Sequence, residues 1–292
     1  MSSVKEKIIK YLLAGVSLII PITSAIILSH VIFESMPAAS QIGLRLFDFQ
    51  GAWRPLSNSP SYNILPMILS TLYVSFLAVA IAAPIACLCA VFLNYYVNKT
   101  ISKLALAFID LLAGVPSVIF GFLGLVIIVG NFERFFNMSA GESILAASVL
   151  VAIMLLPFII SAYSESIERA KDKYSAAAMA LGTSKEYSAL KIIIPITKKS
   201  AAAAIAAAFG RAMSETMAVM MVIGNAPIFP ALFGRGQTIP ALTALEFGSA
   251  EHGSLHLSAI YAANLVLLVL LCLILTAAYF LKKELLKEHD KI

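Results

Sequence analysis

Charge is scarce in this chain. Only 13% of its 292 residues are Asp, Glu, Lys or Arg, whereas a solvated protein surface carries about 25–35%. Hydrophobic residues make up 60%, and mean hydropathy is +0.92. The shortage excludes a soluble globular protein and predicts an integral membrane one. Cysteine is nearly as rare: Cys87, Cys89 and Cys272 lie inside apolar runs. Their positions suggest neither a metal site nor a disulfide framework, and they read as packing residues. There is no Gly-x-x-x-x-Gly-Lys-Ser/Thr loop to hold nucleotide phosphates, and no Gly-x-Ser-x-Gly or His-Glu-x-x-His constellation. The chain is therefore expected to be no enzyme, to carry no cofactor of its own, and to draw any ATP energy from another chain. No Pro-, Ser- or Gly-rich linker divides it.

What is present is six long apolar runs, at Tyr11–Phe33, Ile64–Leu93, Leu104–Gly130, Ile144–Tyr163, Ala201–Gly224 and Leu255–Leu281. Each is long enough to cross a hydrocarbon core of about 30 Å as a helix. The expected fold class is an all-α integral membrane protein with six transmembrane helices. The first run has a basic start, but at 23 residues it exceeds the roughly 7–15 residues of a signal-peptide core and is expected to be retained. The net charge of +5 is a topology signal rather than a nucleic-acid one. Lys5, Lys7 and Lys10 precede the first run, Lys99 and Lys103 follow the second, Arg169 to Lys199 follow the fourth, and Lys282, Lys283, Lys287 and Lys291 close the chain. The opposite segments hold Arg45, Arg54, Arg134 and Arg235 and no Lys, so the positive-inside rule puts both termini in the cytoplasm.

The outer segments are more than turns. Residues 34–63 mix Phe47, Phe49 and Trp53 with Arg45 and Arg54, which suits a segment at headgroup level. Residues 225–254 carry a short helical patch, Ala241 to Phe247, placed to dip into the membrane mouth or receive a partner. His252 and His256 are four apart, but Gly253 weakens the intervening helix and no third ligand is evident, so no metal site is expected.

The most informative feature is a pair of charges inside the fifth run, Arg211 and Glu215. A charge at mid-bilayer costs about 2.5–3.5 kcal/mol on insertion scales, so such residues usually face a partner, a cavity or a solute path. At i,i+4 spacing they are placed to pair with each other as a gate latch. Arg211 is equally suited to contact an anion, or an acid of a second subunit. An unneutralised Glu beside it would repel an anion, which favours the latch. A second non-ideal site lies in the third run, where Asp110 precedes Gly114 and Pro116, and Pro116 is expected to kink the helix.

Between the fourth and fifth runs, residues 164–200 are basic, Ala-rich and helix-favouring. Gly182 closes one helix, Thr183 or Ser184 caps the next, and Pro195 marks entry to the following span. A helix, a turn and a second helix on the cytoplasmic membrane face would fit a groove on another protein, and physics alone leaves an ordinary loop equally open.

Here the sequence resembles a known family. Ala176-Ala177-Ala178, three residues, Gly182, then Ile192, Ile194 and Pro195 look like the coupling loop of ABC importer permeases, with Ala176 in place of Glu and Ile194 in place of Leu. Sharper are Gly210 to Val219, which includes Arg211, Ser214, Glu215 and Thr216, the run Val222 to Asn225, Gly114-Val115-Pro116-Ser117-Val118, and Leu242 to Phe247. These are similar to PstC-type permeases of the high-affinity phosphate importer, with Ser214 where that family usually has Gly. The resemblance runs from Ile64 to the C-terminus. It divides the chain into an N-terminal span and extracytoplasmic segment, 1–63, and a permease core, 64–292.

The resemblance implies a multi-pass subunit of the bacterial inner membrane, paired with a PstA-like sister permease. A PstB-like ATPase dimer would sit below and a PstS-like phosphate-binding protein above. Arg211, Glu215, Thr216, Asp110, Pro116 and Ser117 would line the path or gate. Ala176, Ala177, Ala178, Gly182, Thr183, Ile192, Ile194 and Pro195 would form the coupling loop. Residue spacing alone leaves open a permease for another anion or small solute, a secondary transporter or channel, and a membrane scaffold.

Overall fold

The computed structural model describes residues 2–137 and 139–287; Lys291, used in the topology argument, lies outside them. The described residues are helical apart from turns and one isolated bridge, Arg54 with Ser61. The helices are α1 Ser2–Gln41, α2 Leu65–Tyr95, α3 Lys99–Ala113, α4 Ser117–Leu123, α5 Gly130–Phe135, α6 Ile144–Ala180, α7 Lys185–Tyr187, α8 Ile194–Met213, α9 Met217–Val222, α10 Ile239–Glu246 and α11 Leu255–Lys287. Wide π-type turns, Gly124–Val129 and Ser188–Ile193, join α4 to α5 and α7 to α8. Six stretches are long and apolar enough to cross a membrane: Ile9–Gln41, Leu65–Tyr95, Ser117–Phe135, Ile144–Ala180, Lys185–Met213 and Leu255–Phe280.

The centre of the molecule is α2 against α6, with α8 packed on both. Helix α2 is apolar all round and has no polar face to orient it. A ridge of Ala78, Ala82, Ala86 and Ala90, each 0% exposed, does so instead. Four-residue spacing puts these small side chains on one face and lets the backbones approach closely. Opposite them lie Leu150, Leu155, Ile159 and Ile167 of α6. Helices α4 and α9 pack together beside α6, while α11 bridges α8 to α1. Helix α1 lies along α11 and leaves most of its apolar surface facing outward.

Two expected spans are corrected. The run Leu104–Gly130 is not one kinked helix: α3 ends at Ala113, and α4 starts after Pro116, which is its N-cap with extended ψ of 136°. Proline disfavours helical backbone at the residue before it, so Val115 breaks the helix rather than bending it. The membrane-crossing stretch therefore shifts to Ser117–Phe135, and α3 is a separate amphipathic helix. The run Ala201–Gly224 also divides. Its crossing helix begins earlier, at Lys185, and ends at Met213; Ser214, Glu215 and Thr216 form a break before α9.

At the N-terminal end of α2 a second core gathers Leu46, Trp53, Ile64, Met67, Ile239, Leu242 and Ile260. The 34–63 segment thus packs down on α2, α10 and α11 instead of resting free at the headgroups. After α9 the chain reverses at Gly224 and Asn225, both with positive φ, and Gly236 N–H donates to the Ile223 carbonyl at 3.1 Å. A Cβ at Gly224 would come within 2.6 Å of the Arg235 methylenes. Gly224→Ala should therefore lose about 1–3 kcal/mol, seen as a lower melting temperature of the purified membrane complex. Gly130→Ala, which meets nothing within 4 Å in a helix, should leave it unchanged or higher.

Candidate functional site

The break at 214–216 decides the geometry of the charges. Ser214 N–H turns back to the Arg211 carbonyl and Glu215 N–H to the Ala212 carbonyl, each at 3.2 Å, which tightens the end of α8. Glu215 then lies beyond the helix instead of one turn along it. Its carboxylate takes the Ala218 N–H at 3.4 Å, at the start of α9, where the helix dipole favours negative charge. The ion pair expected from i,i+4 spacing is therefore not formed in this structure: the pairs among the described residues are Arg169–Glu165, Arg235–Glu142 and His256–Glu246.

Arg211 instead places its guanidinium 5.6 Å from the centre of the Phe158 ring on α6. Three residues along the same helix, Ser161 donates its hydroxyl to Asp110 at 2.5 Å. That interval is about 4.5 Å of helix rise. Arg211 and Asp110 are both exposed, so one face of α6 brings together charges that are 101 positions apart in sequence. Phe158 and Ser161 were not picked out from the sequence, because an apolar run containing one Phe and one Ser carries no signal of what crosses it. Thr216 is half-buried at the break, where its hydroxyl donates to the Ser214 carbonyl at 3.2 Å. Pro116 and Ser117 lie at the start of α4, the helix that packs on α9.

Residues 164–200 form the expected helix, turn and helix. Helix α6 carries Ala176, Ala177 and Ala178 without interruption from the membrane span. Gly182 adopts φ of +74°, and Thr183 closes α6 by donating its hydroxyl to the Ala178 carbonyl at 2.7 Å. Ser184 accepts the Tyr187 N–H and starts α7. Ile192 and Ile194 flank the fully buried Ile193, and Pro195 follows directly on the π-type turn Ser188–Ile193, where the wider backbone spacing accommodates a residue without an N–H. Pro195 thus continues a rod that began at Lys185. Leu181, Tyr187 and Leu190 project from the turn, more than half exposed.

At the outer end, Glu246 accepts the Trp53 indole N–H at 2.9 Å and meets His256 Nε2 at 2.8 Å. Tyr62 stacks on His256, and burial pushes its phenol above the ordinary value. His256 is thereby a structural clasp between α10 and α11. His252 is exposed. The Arg235–Glu142 pair at 3.1 Å ties the following loop to the start of α6. Sequence spacing missed both: Trp53 and Glu246 are 193 positions apart, and Glu246 and His256, ten apart, lie on different helices.

Comparison with known proteins now bears on this arrangement. Residues 82–281 match the family described as the inner membrane component of binding-protein-dependent transport systems. A probable phosphate transport system permease protein PstC of Methanocaldococcus jannaschii is 30% identical over 90% of this chain and 89% of its own. The Pasteurella multocida phosphate transport system permease protein PstC is 29% identical over 91% and 88%. A probable ABC transporter permease, YqgH of Bacillus subtilis, is 30% identical over 75% and 71%. Among solved structures, a chain of the MetNI methionine ABC transporter superposes with a TM-score of 0.58 at 16% identity, covering 76% of this chain and 95% of that one. At that identity the likeness speaks for the fold. The matched stretch takes in both helix breaks, the Phe158 and Ser161 face and the Gly182 turn, and the chain belongs to the family of binding-protein-dependent transport system inner membrane components.

Proposed function

We propose that the chain is the permease subunit of an ATP-driven importer of inorganic phosphate. The observation that carries this reading is its 30% identity over 90% of its length to a probable phosphate permease. A sister permease completes the path, a PstB-like ATPase pair binds the cytoplasmic face, and a PstS-like protein delivers phosphate from outside. Both termini lie in the cytoplasm, in keeping with the distribution of Lys. ATP hydrolysis belongs to the partner chain.

The mechanism follows from two rods that share one turn. Closure of the ATPase pair presses on the exposed Leu181, Tyr187 and Leu190. Helix α6 runs from there to Phe158, about 33 Å along its axis, and the α7–α8 rod runs about 39 Å to Arg211. Sliding one rod against the other moves Arg211 across Phe158 toward Ser161 and Asp110, and so changes what the guanidinium can reach.

Energetics say what Arg211 requires. A cation over an aromatic face gains about 0.5–2 kcal/mol, but a ring face accepts none of the guanidinium's five N–H donors in plane. Phe158 alone does not hold the charge there. An anion must complete it, and phosphate matches the guanidinium fork. Glu215 is engaged at α9 and Asp110 with Ser161, so neither carboxylate is the standing counterion. Between passages an acid of the sister permease fills that role, and in both states Arg211 reports which conformation is open.

Arg211→Gln should abolish phosphate uptake into proteoliposomes while all subunits still co-purify; uptake at the wild-type rate would refute a transport role. Gly182→Asp places a side chain at φ of +74° in the turn and should remove stimulation of ATPase activity by the loaded binding protein. Stimulation at the wild-type level in that variant would sink the coupling assignment.

A further inference from the structure

A cavity of about 310 Å³ opens where α2, α3 and α6 meet, at the polar end of the α2 span. It is lined by charges of both signs: Lys99 and Lys103 from α3, and Glu168, Lys171 and Asp172 from α6. Lys171 is fixed in place, donating to the Asn94 carbonyl at 2.6 Å with its ammonium 5.0 Å from the centre of the Tyr95 ring. The other four are not paired off. Among the described residues, Lys99, Lys103, Glu168 and Asp172 take part in no ion pair, although they share one small space. Ser102 lies between the two lysines and lines the cavity. It is 8% exposed, and its hydroxyl makes no hydrogen bond within the described structure. The hydroxyl opens into the cavity, so a ligand seated there can hydrogen-bond it.

The surroundings say what kind of ligand. Helix α3 is amphipathic, with Lys99, Ser102 and Lys103 turned to the cavity and Ile101, Leu104, Phe108 and Leu111 at 59–70% exposure. Nothing among the described residues covers that apolar face. It lies directly after a membrane span, where acyl chains are the available apolar partner. A purely anionic ligand would use the lysines and be repelled by Glu168 and Asp172. A ligand carrying both a phosphate and an ammonium uses all of them. We infer that this cavity binds the headgroup of a zwitterionic aminophospholipid, with phosphate held by Lys99, Lys103 and Ser102, ammonium by Glu168 and Asp172, and acyl chains along the outer face of α3. The bound lipid fixes α3 at the membrane border and so steadies Asp110 near its far end. None of this depends on which solute the transporter carries.

The test uses the purified, delipidated transporter complex, incubated with phosphatidylethanolamine, phosphatidylglycerol or phosphatidylcholine and read by native mass spectrometry. Wild type should retain phosphatidylethanolamine about tenfold better than the other two. Lys99→Gln with Lys103→Gln should lose that retention, and Glu168→Gln with Asp172→Asn should abolish the preference over phosphatidylglycerol. Equal retention of all three lipids by wild type, or a preference for phosphatidylglycerol, overturns the proposal. Unchanged phosphatidylethanolamine binding in the double lysine variant does the same. Soluble phosphoethanolamine should fail to displace the lipid; displacement would show that a soluble phosphate ester, not a lipid, is the occupant. Should a variant fail to assemble, the selectivity of wild type alone decides.

Discussion

Close packing of α2 on α6 is the constraint on which the rest of this molecule depends. In a bilayer, apolar side chains gain nothing by leaving lipid for one another, so helices associate through van der Waals fit and small residues. The ridge from Ala78 to Ala90 supplies that fit, and the α6 side chains opposite are almost fully enclosed. Because α6 is held along its length, it acts as one rod of 37 residues from the Glu142–Arg235 tie at one end to the Gly182 turn at the other. Helix α8 packs on the same pair. The two rods joined by the Gly182 turn are therefore guided by a fixed surface, and motion at one end has a mechanical route to the other.

The two helix breaks give that route something to act upon. A break frees backbone donors and acceptors that lipid cannot satisfy, so it persists only where protein or a cavity supplies partners. At 214–216 they come from 3₁₀-type turns, the Ser214 hydroxyl and the Glu215 carboxylate. The outcome is a separation of charges: the Glu215 carboxylate accepts the Ala218 N–H at the start of α9, and Arg211 faces outward across Phe158. Had α8 continued to Gly224, the two would have stood one turn apart and cancelled. The short break leaves Arg211 an exposed cation where a continuous helix would have set it one turn from Glu215.

Legibility in the sequence followed the range of the forces involved. The helical turn at Gly182 was readable because its cause is local: a glycine at positive φ, Thr183 closing behind it and Ser184 capping ahead. Pro116 was readable as a disturbance, though not as a full stop, since proline is tolerated in membrane helices where neighbours satisfy the freed carbonyls. Ser214-Glu215-Thr216 contains neither glycine nor proline, and its break depends on contacts that α9 makes with α4 and α6. The meetings of Glu246 with Trp53 and of Asp110 with Ser161 are long-range events with no periodic signature.

By itself the sequence determined that this chain crosses a membrane six times, which ends carry its positive charge, and where the chain turns between its two long rods. Those follow from transfer energies and local backbone preference, which act residue by residue. Which charges meet was decided only by the tertiary structure. The face that joins Arg211 and Asp110 belongs to α6, a helix carrying neither of them. Its position is set by the packing of α2, whose alanines reveal their partner only when the helices are brought together.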